Sequence, residues 1–358
     1  MDRSSGYNNT VLKQNNRSLV FKLIATNDGI SRTEIADASN LTKMAVSYIV
    51  SDFLDRGFLT ESEYTGDRHF ARRPIMLNLS PKAPKVVGLV IHRTHVAAVL
   101  CDCKLNILRS ETLNLKEKNL EGLIDAAFRV TDAVMAGQPV IGIGIGSIGP
   151  VDIGRGLILN PPHFHGIRDV AIVDLFEKRY GIPVYLDYHY NCAALAEKYF
   201  GSGKDYHNFL FLGITEGIGA GIVIGDRLYS DNTSFSGEIG HISIDKDGPL
   251  CECGNHGCLG NMLSFATEKD FLQSIDNLSI GLSGLCNLLN PQAIIVGNEL
   301  ERFQDSHLIM LEDKLNEKLV AKDYRHIDVC RAYRSKDLEA SGCAINVIER
   351  MFSGALVF

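Results

Sequence analysis

Three cysteines and two histidines crowd into "GEIGHISIDKDGPLCECGNHGCLGNM", residues 237–262. Cys251, Cys253 and Cys258 follow a C-x-C-x4-C spacing, and His241 lies ten residues before the first of them. Three thiolates and one imidazole are the donor set of a closed tetrahedral zinc site. With four protein ligands no position is left for water, so the expected Zn2+ is structural rather than catalytic. Gly248, Pro249, Gly254 and Gly257 let so short a segment wrap an ion. The plain alternative is free thiols in a loop, but these cysteines are separated by glycines rather than core residues. His256, in the same loop, competes for the place of fourth ligand.

Other elements must hold that clip. Residues 11–80 read as one unit. "VLKQNNRSLVFKLIATND" carries Leu12, Leu19, Val20, Leu23 and Ile24 at helical spacing. Ser31 stands three residues before Glu34, a capping box that opens a short helix with Ile35 and Ala36 inward. Thr42 caps the next helix, whose buried stripe is Ala45, Val46, Ile49, Val50 and Phe53, and Gly57 closes it. "FLTESEYTGDRHFARRPIMLNLS" alternates about a Gly66-Asp67 turn as a β-hairpin does. Three helices and a hairpin make a winged helix-turn-helix over residues 1–80. "SPKAPK" reads as a linker. From Val86 onward, strands alternate with helices. The strand–turn–strand theme of "KVVGLVIHRTHVAAVLCD" returns in "NFLFLGITEGIGAGIVIGDRLYS", which predicts two related α/β lobes with a cleft between them.

The bulk numbers agree. At 358 residues the chain holds about two or three domains. With 45% hydrophobic and 22% charged residues it is an ordinary globular protein. The net charge of -7 excludes a general nucleic-acid coat protein. Residues 1–80, however, hold 10 basic and 9 acidic side chains against 26 and 34 in the rest, which confines any DNA contact to the head. No apolar run approaches the ~20 residues of a membrane span. The start shows no signal-peptide pattern, and nine scattered cysteines suit a reducing compartment, so a cytoplasmic protein is expected.

"GEIGH" followed by "GPLCECGNHGCLG" resembles the signature of the ROK family of repressors, open reading frames and sugar kinases. "GIGIGSIGPVDIGRGLILNPP", "PVYLDYHYNCAALAE", "LFLGITEGIGAGIVIGDRLY" and "LNPQAIIVG" extend the resemblance over nearly the whole chain. It implies a two-lobed actin-like, ribonuclease-H-like body, with lobes over 86–188 and 189–358 and the last helix returning to the first lobe. A winged-helix head before that body is the layout of the family's repressor branch, such as xylose, N-acetylglucosamine and Mlc-type repressors.

A family kinase needs a glycine loop with an acid after the first strand, a base for the sugar hydroxyl, and a second glycine loop for phosphate. Here Val90 stands in the acid's place, and His92 and Arg93 in that of the glycines. His189 stands where the catalytic aspartate would be. Asp187, two residues earlier, shares that face of the strand end but would need a register shift to reach a substrate. The second loop, through Gly217, Gly219 and Gly221, is kept, and reads more simply as a tight turn needing positive φ. An active enzyme is not expected.

The resemblance also implies the ligand contacts. Glu238 and His241 are kept, Tyr188-His189 replaces an Asn-Asp pair, His163 stands where an Asn often lies, and Gly260 replaces a sugar-gripping Glu. A pocket that loses carboxylates and gains imidazoles, with Arg93 nearby, suits an acidic or phosphorylated ligand; the alternative is a degenerate pocket that binds nothing. On DNA, the second helix of the reader enters the major groove with Thr42, Lys43, Met44, Ser47 and Tyr48. Arg32 and Thr33 open the preceding helix where a phosphate fits. Arg72 and Arg73 lie in the wing. The expected function is a sugar-responsive repressor acting on operator DNA as a homodimer or dimer of dimers, with no membrane partner. A sugar kinase with an appended head and an effector-independent dimer are the other readings.

Overall fold

The computed structural model describes residues 9–64, 73–214, 217–230, 235–298, 303–320, 322–333 and 338–358. The head runs α1 (Asn9–Ala25), β1 (Ile30–Ser31), α2 (Arg32–Ser39), α3 (Lys43–Asp55), β2 (Leu59–Glu63) and β3 (Ile75–Leu79). Both helix starts follow from their caps. Glu34 N–H donates to Ser31 Oγ while Glu34 Oε2 accepts from Ser31 N–H at 2.8 Å, and Thr42 Oγ1 accepts from Ala45 N–H at 3.2 Å. The three strands pair antiparallel in the order β1-β3-β2. Val46, Ile49, Val50 and Phe53 of α3 are buried as their spacing demands. Phe21, which the apolar stripe of α1 leaves out, is fully buried, whereas Leu12 is exposed.

The segment 80–85 is not a loose tether. Ala83 is buried, and the Pro84 carbonyl accepts from the Cys103 thiol at 3.2 Å.

The body continues with β4 (Val86–Ile91), β5 (His95–Cys101), β6 (Ile107–Asn114), α4 (Leu120–Met135), β7 (Ile143–Ser147), the short pair β8 (Val151–Asp152) and β9 (Leu157–Ile158), α5 (Ile172–Tyr180), β10 (Val184–Tyr188) and α6 (His189–Phe200). Then come β11 (Phe209–Ile214), β12 (Ile218–Ile224), β13 (Arg227–Leu228), α7 (Glu268–Leu289), β14 (Ala293–Asn298), α8 (Asp305–Glu317), β15 (Asp328–Arg331) and α9 (Leu338–Ser353). The two five-stranded sheets are β10-β7-β4-β5-β6 and β15-β14-β11-β12-β13. Each places an antiparallel ribbon beside two parallel strands, in the same order. The repeat expected from the two strand–turn–strand segments is therefore a repeat of topology.

Alternate glycines decide where α9 lies. A Cβ on Gly88 would sit 1.9 Å from the Ala340 carbonyl oxygen, and one on Gly144 would sit 1.9 Å from that of Cys343. The Gly-x-Gly face of β7, together with Gly88 of β4, is thus a groove that brings the backbone of α9 onto the first sheet. Its first turn is thereby aimed at the C-terminal ends of β4 and β10, where parallel strands of an α/β sheet present their ligand sites.

Candidate functional site

A cavity of about 620 Å³ lies between the lobes. All five residues read as ligand contacts, His163, Tyr188, His189, Glu238 and His241, border it. The turn from β10 directly into α6 packs three aromatic side chains into one wall. The His189 ring stacks on Tyr190 at 3.9 Å, and Tyr188 meets both edge-on at 5.0 and 5.2 Å.

These rings explain the second glycine loop. A Cβ on Gly213 would fall 1.9 Å from the Tyr190 ring, and one on Gly219 would fall 2.3 Å from Tyr188 Oη. Neither Gly219 nor Gly221 has positive φ. The turn between β11 and β12 stands, but positive φ does not explain Gly219 and Gly221, which make room for Tyr190; a Cβ on Gly217 would meet nothing. The other loop is filled as well. His92 is buried, and the Arg93 side chain turns across the rim, its Nε donating to the Pro162 carbonyl at 2.9 Å.

Asp187 does not border the cavity. Its Oδ1 accepts from Asn191 Nδ2 at 2.9 Å and from Tyr188 N–H. Strand alternation fails here because β10 ends at Tyr188 and His189 already belongs to a helix. Burial pushes the Asp187 carboxyl up to about 6, against those two hydrogen bonds.

Carboxylates have been rearranged rather than simply lost. Glu252, from the cysteine loop, borders the cavity and pairs with His163 across its mouth at 2.9 Å. Gly260 borders the cavity where a family glutamate was expected. Burial raises the pKa of Glu238, opposed by His241 and Arg93, and burial raises Tyr188 well above the usual phenol. Below the floor stands Glu339, from the first turn of α9, between His92 and His189. Burial alone would raise its carboxyl; the neighbouring imidazoles of His189 and His92 outweigh that and hold it well below the usual range. Burial lowers His189, only partly offset by Glu339, and so favours the neutral imidazole. No local pattern marks Glu339, because its partners lie some 150 and 247 residues away in sequence.

The clip itself is assembled. The ligand atoms of His241, Cys251, Cys253 and Cys258 all lie within 4.8 Å of one another. Cys251 Sγ is 3.5 Å from His241 Nδ1, and Cys253 Sγ is 3.5 Å from Cys258 Sγ. A tetrahedron with bonds of about 2.3 Å has edges of about 3.8 Å, so the spacing fits an ion at the centre. His256 is turned elsewhere, its Nδ1 donating to the Gly248 carbonyl at 2.9 Å. Gly257, at φ +61°, lets the loop close: a Cβ there would meet the Asp245 carbonyl at 1.8 Å.

On the head, Thr42, Lys43, Met44, Ser47 and Tyr48 form one exposed face of α3 and its cap. Met44 is 83% and Tyr48 78% exposed. Thr33 is exposed, but Arg32 is half-buried and paired with Glu61 of β2 at 2.7 Å. Arg73 is exposed; Arg72 lies outside the described residues.

Residues 86–273 match the model described as the ROK family. The chain belongs to the ROK family. Over 98% of both chains it is 28% identical to a putative xylose repressor of Caldicellulosiruptor sp. (strain Rt8B.4). Among solved structures, a ROK family transcriptional regulator described as a homolog of the E. coli MLC protein aligns with a TM-score of 0.80, covering 97% of this chain and 98% of that one at 22% identity. A ROK family glucokinase from Streptomyces griseus, solved with glucose and AMPPNP, aligns at 0.66 and 25% identity over 73% of this chain and 98% of its own. The ROK body is thus shared with kinases, while likeness along the whole chain is to a regulator. Among the described residues no helix is long and apolar enough to cross a membrane.

Proposed function

We propose that this ROK protein is a cytoplasmic transcriptional repressor of carbohydrate-related genes, in which a catalytically inactive kinase-like body senses a sugar or sugar derivative. The head over residues 1–80 reads operator DNA, and the lobes over 86–188 and 189–358 hold the effector. The observation that carries the reading is the cleft. Tyr188 and Tyr190 lie against Gly219, and Tyr190 also against Gly213 and Gly221, while His92 and Arg93 occupy the other loop. Full-length similarity to a protein named as a xylose repressor supports the same reading.

The parts then have distinct tasks. Thr42, Lys43, Met44, Ser47 and Tyr48 face base edges, while Thr33, Arg72 and Arg73 grip phosphate or the minor groove. His163, Tyr188, His189, Glu238 and His241 contact the effector. Zn2+ held by His241, Cys251, Cys253 and Cys258 fixes one wall of the pocket, because His241 serves both sites. The imidazoles with Arg93 favour an acidic or phosphorylated sugar, and Glu238 and Glu252 suit its hydroxyls. A homodimer places two heads on two half-sites.

The test pairs two assays on the full chain. Operator sequences are selected from a random duplex library and binding is measured with and without a panel of neutral and phosphorylated sugars. ATP turnover is measured over the same panel. Operator binding shifted by one sugar, with no turnover, is expected; sugar-dependent ATP turnover overturns the reading, and binding of neutral sugars alone removes the preference for an anion.

A further inference from the structure

Among the described residues, one cluster of metal-ligating side chains besides the cysteine clip lies at the cavity floor. Its members come from three elements: His92 follows β4, His189 opens α6, and Glu339 sits in the first turn of α9. His92 and His189 are buried and Glu339 is nearly so. Their ligand atoms lie within 4.8 Å of one another.

The hydrogen bonding inside the cluster is incomplete. Glu339 Oε2 meets His92 Nε2 at 2.5 Å, while Oε1 stands 3.5 Å from His189 Nδ1. At that distance Nδ1 has no hydrogen-bond partner, although His189 is only 3% exposed. A buried ring nitrogen without a partner needs an explanation. Here it is aimed at the same point as a carboxylate and a second imidazole.

We propose that His92, His189 and Glu339 form a second metal site, for a first-row transition ion such as Zn2+, with open coordination positions facing the cavity. Two imidazoles and one carboxylate favour such ions over Mg2+ or Ca2+, which take oxygen ligands. Three protein ligands leave room for a water or a ligand oxygen, unlike the four of the clip. Both histidines border the cavity, so that vacancy faces the space where a small molecule enters. Seating the ion parts Glu339 Oε2 from His92 Nε2 to about 3 Å, the separation of donors sharing one ion. The site stands whether or not the protein binds an operator or a sugar.

The test is metal stoichiometry on the full chain, by elemental analysis and Zn2+ titration, with Co2+ substitution to separate the sites. The wild type binds two equivalents. His189→Asn and Glu339→Gln bind the second at least 100-fold more weakly yet keep the thiolate-to-cobalt charge-transfer band of the clip. Cys251→Ser loses that band and keeps the other equivalent. The retained band also certifies that a variant is folded, and His92→Gln replaces Glu339→Gln if the latter is not. One equivalent in the wild type, or a second that survives the histidine and glutamate substitutions, overturns the proposal.

Discussion

Phe358 stacks on Phe53 of helix α3, ring centroids 6.1 Å apart and planes 5° from parallel. Phe21 lies on it at 4.7 Å, and Arg56 Nη1 donates to its main-chain oxygen at 2.8 Å. The segment after α9 is thus built into the core of the winged-helix head. At its other end α9 carries Glu339, beside His92 and His189 under the cavity. One helix touches the cavity floor and leads into the reader's core. Phe358→Ala is expected to destabilise the head by about 2 kcal/mol, the order for truncating a partly buried aromatic. It should leave effector affinity unchanged and shrink the effector's influence on operator binding several-fold. Thermal denaturation with operator titrations at zero and saturating effector measures this; an undiminished response sinks the coupling through α9.

Much of this was legible in the sequence, and the rest has a physical reason for being hidden. Local chemistry was readable: the caps at Ser31 and Thr42, the stripe of α3 and the clustered cysteines each act within one turn or loop. The glycines of β12 were visible but misread, because their function is contact with Tyr188 and Tyr190, not backbone conformation, and those of β7 carried no local sign of the helix α9 that packs on them. Glu339 and Phe358 were missed because each matters only through partners hundreds of residues away.

Those glycines give a second prediction. A Cβ at Gly219 would meet Tyr188 Oη at 2.3 Å and the Tyr190 ring at 2.6 Å. Gly219→Ala is expected to cost about 1–3 kcal/mol by overpacking. Tyr190→Ala in the same chain should return part of that loss, since the ring is what the methyl strikes. A double-mutant cycle by denaturant titration reads the coupling; strict additivity refutes the account.

Asp187 gives a pH dependence of definite sign. Burial raises its carboxyl from 3.8 to about 6 in the folded chain. The folded state therefore binds this proton more tightly than the unfolded one. Its contribution to stability is full below pH 4, declines as pH rises to about 6, and is flat above. Asp187→Asn should match the wild type at pH 4 and exceed it by about 2–3 kcal/mol at pH 8. Unfolding curves at the two values suffice, and an equal difference at both contradicts the assignment.

The clip sets His241, Cys251 and Glu252 at the border of the cavity. Cys258→Ser should lose the clip's metal equivalent and weaken effector binding tenfold or more, while operator affinity without effector stays within about threefold. Metal analysis beside calorimetry and gel shift separates the two effects. Equal loss of effector and operator binding would mean the clip supports the whole fold rather than one wall.

The pair Arg32–Glu61 sets two substitutions against each other. Arg32 opens α2, where a phosphate fits the helix N-terminus, but its guanidinium is held by Glu61 at 2.7 Å. A phosphate contact by Arg32 must compete with that carboxylate, so its net contribution is small while Glu61 is present. Arg32→Ala is therefore expected to weaken operator binding by less than about fivefold. Glu61→Ala removes one negative charge beside the N-terminus of α2 and frees the arginine, so it should tighten binding and steepen the salt dependence by about one ion. The exposed Arg73 has no such competitor among the described residues, so Arg73→Ala should weaken binding and flatten the slope by a similar amount. Fluorescence anisotropy across a salt series measures all three. If Glu61→Ala weakens binding, the pair's task is to hold α2 against β2, and Arg32 does not read phosphate.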